Sequence, residues 1–171
     1  MSVRYMLKSG FNLLPKILGY RVFRVFNWPK ILPVNLTLSV TNMCNSRCKT
    51  CFIWKLYREK PHLKEEELKL WEFEKIFESI GDSIFWTTIS GGEPFLRSDL
   101  PKICKALVDY CKPKIINIPT NALLPKIIED RIRKILDGCD CSNFVINLSL
   151  DGLGDRHDEI RGVPGNFNLF L

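Results

Sequence analysis

The sequence lacks any hydrophobic run long enough to cross a lipid bilayer. Its longest stretch without a charged residue, positions 31–46, contains Pro33 and several polar side chains, whereas a spanning helix needs about 20 consecutive apolar residues. Residues 1–30 also lack the continuous apolar segment of a secretory signal peptide, because basic side chains interrupt them. We therefore expect neither a transmembrane segment nor a secreted protein.

The pattern of a disulfide framework is missing as well. Small secreted proteins usually carry an even number of cysteines spread along the chain, but this sequence has seven. Three of them, Cys44, Cys48 and Cys51, lie within one short segment. Unpaired thiols suit a reducing compartment, so the cysteine usage favours a cytoplasmic protein.

Acidic residues are absent from the first 58 positions, which carry ten basic side chains, whereas the remainder carries 15 basic and 19 acidic ones. Residues 1–33 form a basic, apolar-rich leader. We expect it to be a helix packed on the rim of the domain and interrupted by Pro15, Pro29 and Pro33. The charge leaves open peripheral contact with a membrane surface or with nucleic acid, although no recognisable RNA-binding module accompanies it.

The remaining residues alternate between strand and helix patterns. Apolar and polar residues alternate with a period of two over Val34–Val40, which predicts a first strand. Segments rich in β-branched and aromatic residues predict three more, over Ile84–Ser90, Lys114–Ile118 and Phe144–Leu150. Strands that alternate with helices indicate an α/β fold with a parallel sheet and right-handed crossovers.

Helical periodicity fills the intervals between these strands. Helices are predicted over Phe73–Ile80, Leu100–Cys111 and Pro125–Gly138, and Ser98 or Asp99 is expected to cap the second. The apolar stripe of that second helix includes Cys104 and Cys111, which favours a place in the core for both. The inward face of the third helix is predicted to comprise Ile128, Ile132, Ile135 and Leu136.

The unusual residues of the sequence all follow predicted strands. In parallel sheets ligands bind at the carboxyl ends of the strands, and those ends meet at one edge. Each strand supplies candidates there: the three clustered cysteines, Gly91-Gly92-Glu93-Pro94, Thr120-Asn121 and Asp151-Gly152. This coincidence predicts a single site.

The cysteine spacing C-x3-C-x2-C is the strongest motif. Three thiolates on a tight loop suit three irons of a [4Fe–4S] cluster and leave the fourth iron without a protein ligand. Thiolates also suit structural zinc, which needs four ligands. A fourth zinc ligand would have to be His62, Cys104, Cys111, Cys139 or Cys141. Spacing alone favours the cluster and leaves zinc open; Cys139 and Cys141 are expected to be incidental thiols.

The cysteine loop after a first strand, with Gly91-Gly92-Glu93-Pro94 after a second, resembles the radical S-adenosylmethionine (radical SAM) superfamily from about Leu36 to Arg161. Residues 149–162 are similar to the branch that includes molybdenum-cofactor biosynthesis and peptide- or protein-maturing SPASM-type enzymes. The resemblance implies a partial (βα) barrel, usually of six units, of which four strands are present. Residues 34–171 would then be the N-terminal part of a truncated core.

The resemblance also implies the chemistry. Family members bind a [4Fe–4S] cluster, here on Cys44, Cys48 and Cys51, and S-adenosylmethionine on the open iron. An electron from a low-potential donor of the flavodoxin or ferredoxin type leads to cleavage of that cofactor. The resulting 5′-deoxyadenosyl radical abstracts hydrogen from a substrate, here a peptide or small metabolite.

Individual residues acquire expected roles by the same resemblance. The methionyl amino group would meet Gly91, Gly92, Glu93 and Pro94. Its carboxylate would meet Ser149 and Arg161, and the pocket would be lined by Thr120, Asn121 and Asp151.

Two positions depart from the family pattern, and both bear on cofactor contacts. Thr50 stands where most members have an aromatic residue, so Phe52 or Trp54 is left to stack on the adenine. Ala122 replaces a common glycine. His157 with Asp158 is expected to stabilise its loop.

Two alternatives remain beside the radical enzyme: a zinc-binding structural module, and an inactive fragment that retains only cluster-binding residues. The apolar run Phe167–Leu171 is predicted to open a further helix. If the core lacks its last strands, the fourth strand becomes an open sheet edge. We then expect uncoupled cleavage of S-adenosylmethionine at most, and no complete turnover.

Overall fold

A computed structural model describes residues 3–28, 31–139 and 143–170 of the chain, with side chains from Leu14 onward. Four parallel strands form one sheet in the order β1-β2-β3-β4. The strands are β1 (Asn35–Thr41), β2 (Trp86–Gly91), β3 (Ile115–Thr120) and β4 (Asn143–Leu148). The predicted α/β class, the number of strands and their parallel direction are confirmed, and the boundaries shift by one or two residues.

Helices connect the strands and cover one face of the sheet. The described part of the chain contains α1 (Val3–Phe26), α2 (Ile53–Glu59), α3 (Leu70–Ile80), α4 (Leu100–Cys111), α5 (Pro125–Gly138) and α6 (Asp155–Arg161). Predictions for α3, α4 and α5 are confirmed. The cysteine segment and the Gly/Asp-rich segment after β4 were predicted as loops, but each contains a short helix, α2 and α6. Both helices are seven residues long, too short for a periodic pattern to emerge from the sequence.

The core lies between the sheet and helices α3 and α4. Phe73 and Phe77 of α3 are buried against Leu107 of α4, and Ile89 and Ile116 bring the central strands β2 and β3 into the same cluster. This apolar contact fixes the sheet while leaving the carboxyl ends of the strands clear. The expected burial of Cys104 and Cys111 is confirmed, and Cys141 lies outside the described residues.

Three local expectations are corrected. The leader helix α1 continues through Pro15, because a proline within a helix removes one hydrogen bond without necessarily ending it. Asp99 precedes α4 but makes no capping hydrogen bond, since its carboxylate pairs with Arg97 at 2.7 Å. Leu136 is 56% exposed; it lines an apolar groove with Leu148 at the edge strand β4, beyond the buried face of α5.

The C-terminal residues Phe167–Phe170 form a short 3-10 turn, where the sequence predicted the opening of a helix. None of the helices in the described ranges is long and apolar enough to span a membrane.

Candidate active site

A cavity of about 200 Å3 opens at the carboxyl ends of the four strands. It brings together most of the residues that the sequence singled out, although they come from positions more than a hundred residues apart. From the predicted set its walls include Cys44, Cys48, Cys51, Gly91, Gly92, Glu93, Thr120, Asn121, Ser149 and Arg161. The expected convergence of strand ends into one site is therefore present in the fold.

The segment between β1 and α2, residues 42–52, carries the three cysteines and is called the cysteine loop below. Its first residues are fixed by Glu67, whose carboxylate accepts hydrogen bonds from Thr41 Oγ1 at 2.5 Å and from the Asn42 amide at 3.0 Å. The Tyr57 hydroxyl of α2 donates to the same carboxylate. Arg97 donates to the Val40 carbonyl at 2.6 Å. These contacts anchor the start of the loop to the domain.

The middle of the cysteine loop is anchored to the C-terminal end of α6. The Arg47 amide donates to the Arg161 carbonyl at 3.0 Å and the Lys49 amide to the Ile160 carbonyl at 2.9 Å. Carbonyls at the end of a helix need such partners, because no intrahelical donor reaches them. Gly162 follows with φ of 66°, and a Cβ there would lie 2.5 Å from the Arg47 carbonyl oxygen. Only glycine fits this approach.

The three cysteines differ in exposure. Cys48 is buried, Cys44 is half-buried and Cys51 is exposed. Burial, with the charge of Glu93 as a smaller cause, raises the pKa of the Cys44 thiol. A bound metal ion reverses this preference, because metal ligation requires the thiolate.

Polar groups from separate segments surround the cysteine sulfurs. Arg161 Nη1 lies 3.6 Å from Cys48 Sγ as a donor. The Ser46 hydroxyl lies 3.1 Å from the same sulfur, but it donates its hydrogen to the Arg161 carbonyl at 3.0 Å and therefore accepts from the Cys48 thiol. Asn121 Nδ2 is 3.8 Å from Cys44 Sγ. Hydrogen bonds to ligand sulfurs stabilise the negative charge of a reduced cluster. Ser46 was missed by sequence reasoning, since a serine between two cysteines carries no distinctive pattern.

Within the described ranges, no three His, Cys, Asp or Glu side chains converge on a point where one metal ion would sit. A mononuclear zinc site requires that convergence, with each sulfur about 2.3 Å from the ion. A cluster does not require it, because each thiolate binds a separate iron.

The two glycines after β2 are required by packing against the end of β1. A Cβ on Gly91 would lie 2.2 Å from the Thr41 carbonyl oxygen, and one on Gly92 would lie 2.2 Å from that of Met43. The Gly92 amide donates to the Thr41 carbonyl at 2.7 Å. This close backbone approach brings the Gly-Gly-Glu-Pro turn next to the cysteine loop.

Glu93 is the buried carboxyl of the site, only 3% exposed. It accepts hydrogen bonds from the Phe95 amide at 3.2 Å, from Thr120 Oγ1 at 3.0 Å and from the Asn121 amide at 2.8 Å. It thereby joins the ends of β2 and β3. Removal from water raises the pKa of Glu93, although these hydrogen bonds and the charge of Arg161 oppose the shift.

The raised pKa gives stability a defined pH dependence. Between the unfolded and folded pKa values of Glu93 the folded chain binds more protons, so this group lowers stability as pH rises through that window. We expect wild type to lose stability relative to Glu93→Gln from about pH 4.5 upward, measured by urea unfolding. Glu159→Gln is the control, because Lys49 lowers the pKa of Glu159. In this case wild type should gain stability relative to the variant as the pH rises. A pH-independent difference for Glu93→Gln would contradict the assignment.

Arg161 has the most polar surroundings in the site. Its Nη2 donates to the Ser149 carbonyl at 2.8 Å, and its Nε lies 2.8 Å from Asp151 Oδ2. The Nε and Oδ2 atoms are close enough for an ion pair, but the Nε–H does not point at the carboxylate oxygen. This buried donor therefore has no aligned acceptor. A buried donor in this state favours an additional anionic acceptor.

Three predicted site residues lie outside the cavity lining. Phe52 is 68% exposed, with the Lys55 ammonium over its ring. Pro94 is buried, and Asp151 forms an ion pair with Arg161. Trp54 lines a neighbouring cavity and donates from Nε1 to the Cys48 carbonyl at 3.3 Å. The lining residues that sequence reasoning missed are Ser46, Ile53, Ser90 and Pro119.

His157 holds the segment after β4 in place. It is fully buried; its Nδ1 accepts from the Asp151 amide at 3.1 Å and its Nε2 lies 3.0 Å from Asn166 Oδ1. Asn166 in turn donates to the Asn121 carbonyl at 3.2 Å. Asp158 accepts from the Phe167 amide at 2.7 Å. These contacts agree with the expected loop-stabilising role of both residues.

Comparison with known proteins identifies the class. Residues 38–171 match the Radical SAM superfamily, and the chain belongs to this superfamily of enzymes. Within it, the chain is 34% identical over 122 residues to the GTP 3′,8-cyclase of Sulfurimonas denitrificans. It is 34% identical over 134 residues to the probable GTP 3′,8-cyclase of Methanococcus maripaludis. The expected superfamily is thereby confirmed.

The fold is also that of a solved structure. Streptococcus suis SuiB bound to S-adenosylmethionine superposes with a TM-score of 0.62 at 21% identity, over 88% of this chain and 32% of SuiB. The matches to the two cyclases cover 69% and 75% of this chain but 35% and 40% of the cyclases. The chain therefore spans between about a third and two fifths of the proteins it resembles.

Proposed function

We propose that this chain is the cofactor-binding part of a radical SAM enzyme, in which Cys44, Cys48 and Cys51 hold a [4Fe–4S] cluster and S-adenosylmethionine binds beside them. The observation that carries the proposal is the cavity at the strand ends, where three thiols, the buried carboxyl Glu93 and the guanidinium of Arg161 share one wall. Superfamily membership over residues 38–171 supports it independently.

The residues of the cavity fit the two groups. Three cysteines on one loop provide a ligand for three of four irons, and the Arg161 guanidinium is a donor beside the Cys48 sulfur. The unaligned Nε–H of Arg161 suits a cofactor carboxylate. The cavity volume of about 200 Å3 is below the 300–1000 Å3 usual for small-molecule sites. It therefore suits the charged methionyl end better than a whole cofactor.

When bound, the reduced cluster and S-adenosylmethionine supply a 5′-deoxyadenosyl radical that abstracts hydrogen from a substrate carbon. The protein's own task is to bind, orient and shield. Asp151 and the Ser149 carbonyl hold the Arg161 guanidinium in a fixed direction before the cofactor arrives. Glu93 provides negative charge for the methionyl ammonium, and the glycine turn keeps it close to the cysteine loop.

The proposed partners follow from the same chemistry. An electron must come from a low-potential donor of the flavodoxin or ferredoxin type. The proposed substrate is a small molecule or a peptide, the two classes that appear in the names of the relatives: GTP 3′,8-cyclases, and SuiB bound to its precursor peptide SuiA. A cytoplasmic site of action is part of this proposal.

Anaerobic reconstitution tests the proposal directly. The chain, incubated with iron and sulfide, should acquire four irons and four sulfides per chain. After addition of dithionite and S-adenosylmethionine, chromatography should detect 5′-deoxyadenosine. One zinc per chain and no sulfide would identify a zinc module instead. A full cluster without any 5′-deoxyadenosine would identify an inactive fragment.

Binding of S-adenosylmethionine should depend on Arg161. Arg161→Ala removes a hydrogen bond to a charged group, which contributes about 1.5–3 kcal/mol; affinity measured by anaerobic calorimetry should fall roughly tenfold or more. Arg156→Ala is the matched control, because Arg156 lies on the same helix but is exposed and pairs with Glu159 at 3.2 Å. Arg161→Lys should restore part of the affinity. Equal dissociation constants for Arg161→Ala and wild type would show that Arg161 is purely structural.

A further inference from the structure

One side of the leader helix α1 makes polar contacts. Lys16 Nζ donates to the Ser83 carbonyl of the domain at 2.7 Å, and the Tyr20 hydroxyl donates to the Leu32 carbonyl, within the leader itself, at 2.5 Å. Gly19 and Phe23 are half-buried on the same side of the helix. This side of α1 therefore faces the domain through Lys16 and the end of the leader through Tyr20.

The opposite side of α1 is exposed and mostly apolar, with the basic Arg21 within it. Leu14, Ile17, Leu18, Val22 and Val25 follow the spacing i, i+3, i+4, i+8 and i+11, which places them on one helix face. Their exposed fractions range from 43% to 73%. A helix that packs only on its own domain turns such residues toward the domain. In α1 they face away from it.

The apolar surface continues past the end of the helix. Phe26 and Trp28 are each 72% exposed, and Leu32 is 51% exposed. A tryptophan at the end of such a segment is typical of membrane interfaces, where the ring is buried and the indole N–H stays hydrated. We call the exposed apolar residues together the leader face: Leu14, Ile17, Leu18, Val22, Val25, Phe26 and Trp28.

The charge around the leader face is predominantly positive. Arg21 and Arg24 are exposed on α1, and no acidic residue precedes Glu59. Beside the helix, Lys16 shares a cavity of about 410 Å3 with Lys112, Lys114 and the single acidic residue Asp82. Positive charge thus extends from the helix onto the underlying domain.

We propose that the leader face binds the surface of an anionic lipid bilayer, with α1 lying in the interface and its arginines near the headgroups. Apolar side chains combined with exclusively basic charge are the composition that partitions to such surfaces. A second copy of the chain fits this face less well, because two leader faces would bring only positive charges together. The inference goes beyond the proposed cofactor chemistry and does not depend on it.

Vesicle co-sedimentation of the purified chain tests the proposal. The chain should bind vesicles of phosphatidylcholine mixed with phosphatidylglycerol, and bind phosphatidylcholine alone far more weakly. Leu18→Ser should lower the partition constant roughly tenfold, and Arg24→Gln about fivefold. Binding should weaken as the salt concentration increases.

Matched variants on α5 provide the controls. Leu136→Ser removes a leucine that is 56% exposed, against 54% for Leu18. Arg133→Gln removes an exposed arginine that pairs with Glu129; neither should change vesicle binding. Arg24→Gln keeps good helix propensity, so it remains informative if Leu18→Ser disturbs the helix by circular dichroism. Absent binding, equal binding to both vesicle types, or equal losses in the α5 controls would overturn the proposal. So would a dimer that Leu18→Ser dissociates.

Discussion

Replacing Cys48 by alanine is expected to abolish assembly of a [4Fe–4S] cluster. The proposed site offers three protein thiolates in all, and Cys48 is the buried one, with Arg161 directed at its sulfur. The visible absorbance and the iron and sulfide content after anaerobic reconstitution should fall to background. The fold should survive, because the cysteine loop is anchored by backbone contacts to α6 and by Glu67.

Cys111→Ala is the control for this experiment. Cys111 is also buried, but it lies in α4, and its thiol is 3.5 Å from the Phe77 carbonyl. Burial raises the pKa of Cys111 to about 11, and Cys111 is not among the residues that line the cavity at the strand ends. This variant should lose some stability through the small void it leaves and keep a full cluster. Retention of the cluster by Cys48→Ala would contradict the ligand assignment.

Gly162→Ala is expected to loosen the cysteine loop. A left-handed conformation costs a non-glycine residue about 1–2 kcal/mol, and the new Cβ would lie 2.5 Å from the Arg47 carbonyl oxygen. The Arg47 and Lys49 amides would then lose their partners at the end of α6. Hydrogen exchange at both amides should accelerate, the free energy of unfolding should fall by more than the conformational cost alone, and cluster yield should decrease.

Gly165→Ala separates conformation from contact. Gly165 also has a positive φ, 78°, but a Cβ there would have no atom within 4 Å. Gly165→Ala should therefore lower the free energy of unfolding by the conformational cost alone. Hydrogen exchange at the Arg47 and Lys49 amides should stay as slow as in wild type. Equal effects of the two substitutions on exchange and on cluster yield would show that the contact between α6 and the cysteine loop is unimportant.

The sequence predicts the sheet and the place of the site because both depend on local patterns. Period-two alternation identifies β1, and a parallel sheet necessarily gathers Cys44, Gly91 and Thr120 at one edge. The roles proposed for these residues remain predictions. The requirement for glycine at position 162 could not be predicted in this way. It arises from contact with Arg47, which lies more than a hundred positions earlier, and no local pattern of residues indicates that contact.

The orientation of the leader helix is a second feature that the sequence does not predict. Its basic charge is evident from composition, but the side of α1 that faces solvent depends on where Lys16 and Tyr20 find carbonyl partners. Phe52 likewise follows Cys51 directly, yet its ring turns outward. Side-chain direction at such positions is a tertiary property, which propensity and periodicity do not encode.

The anchoring of the cysteine loop has a consequence for the order of events during synthesis. Ser46 donates to the carbonyl of Arg161, 115 residues later, and Lys49 pairs with Glu159, 110 residues later. Contacts between such distant segments form late, because a long stretch of chain must be ordered first. When the cysteines leave the ribosome, α6 has not been made, so the loop lacks the support that fixes its shape. If the chain holds the proposed cluster, iron and sulfide would be delivered only after α6 has been made. A chain halted before Arg161 would carry all three cysteines without the contacts that support their loop.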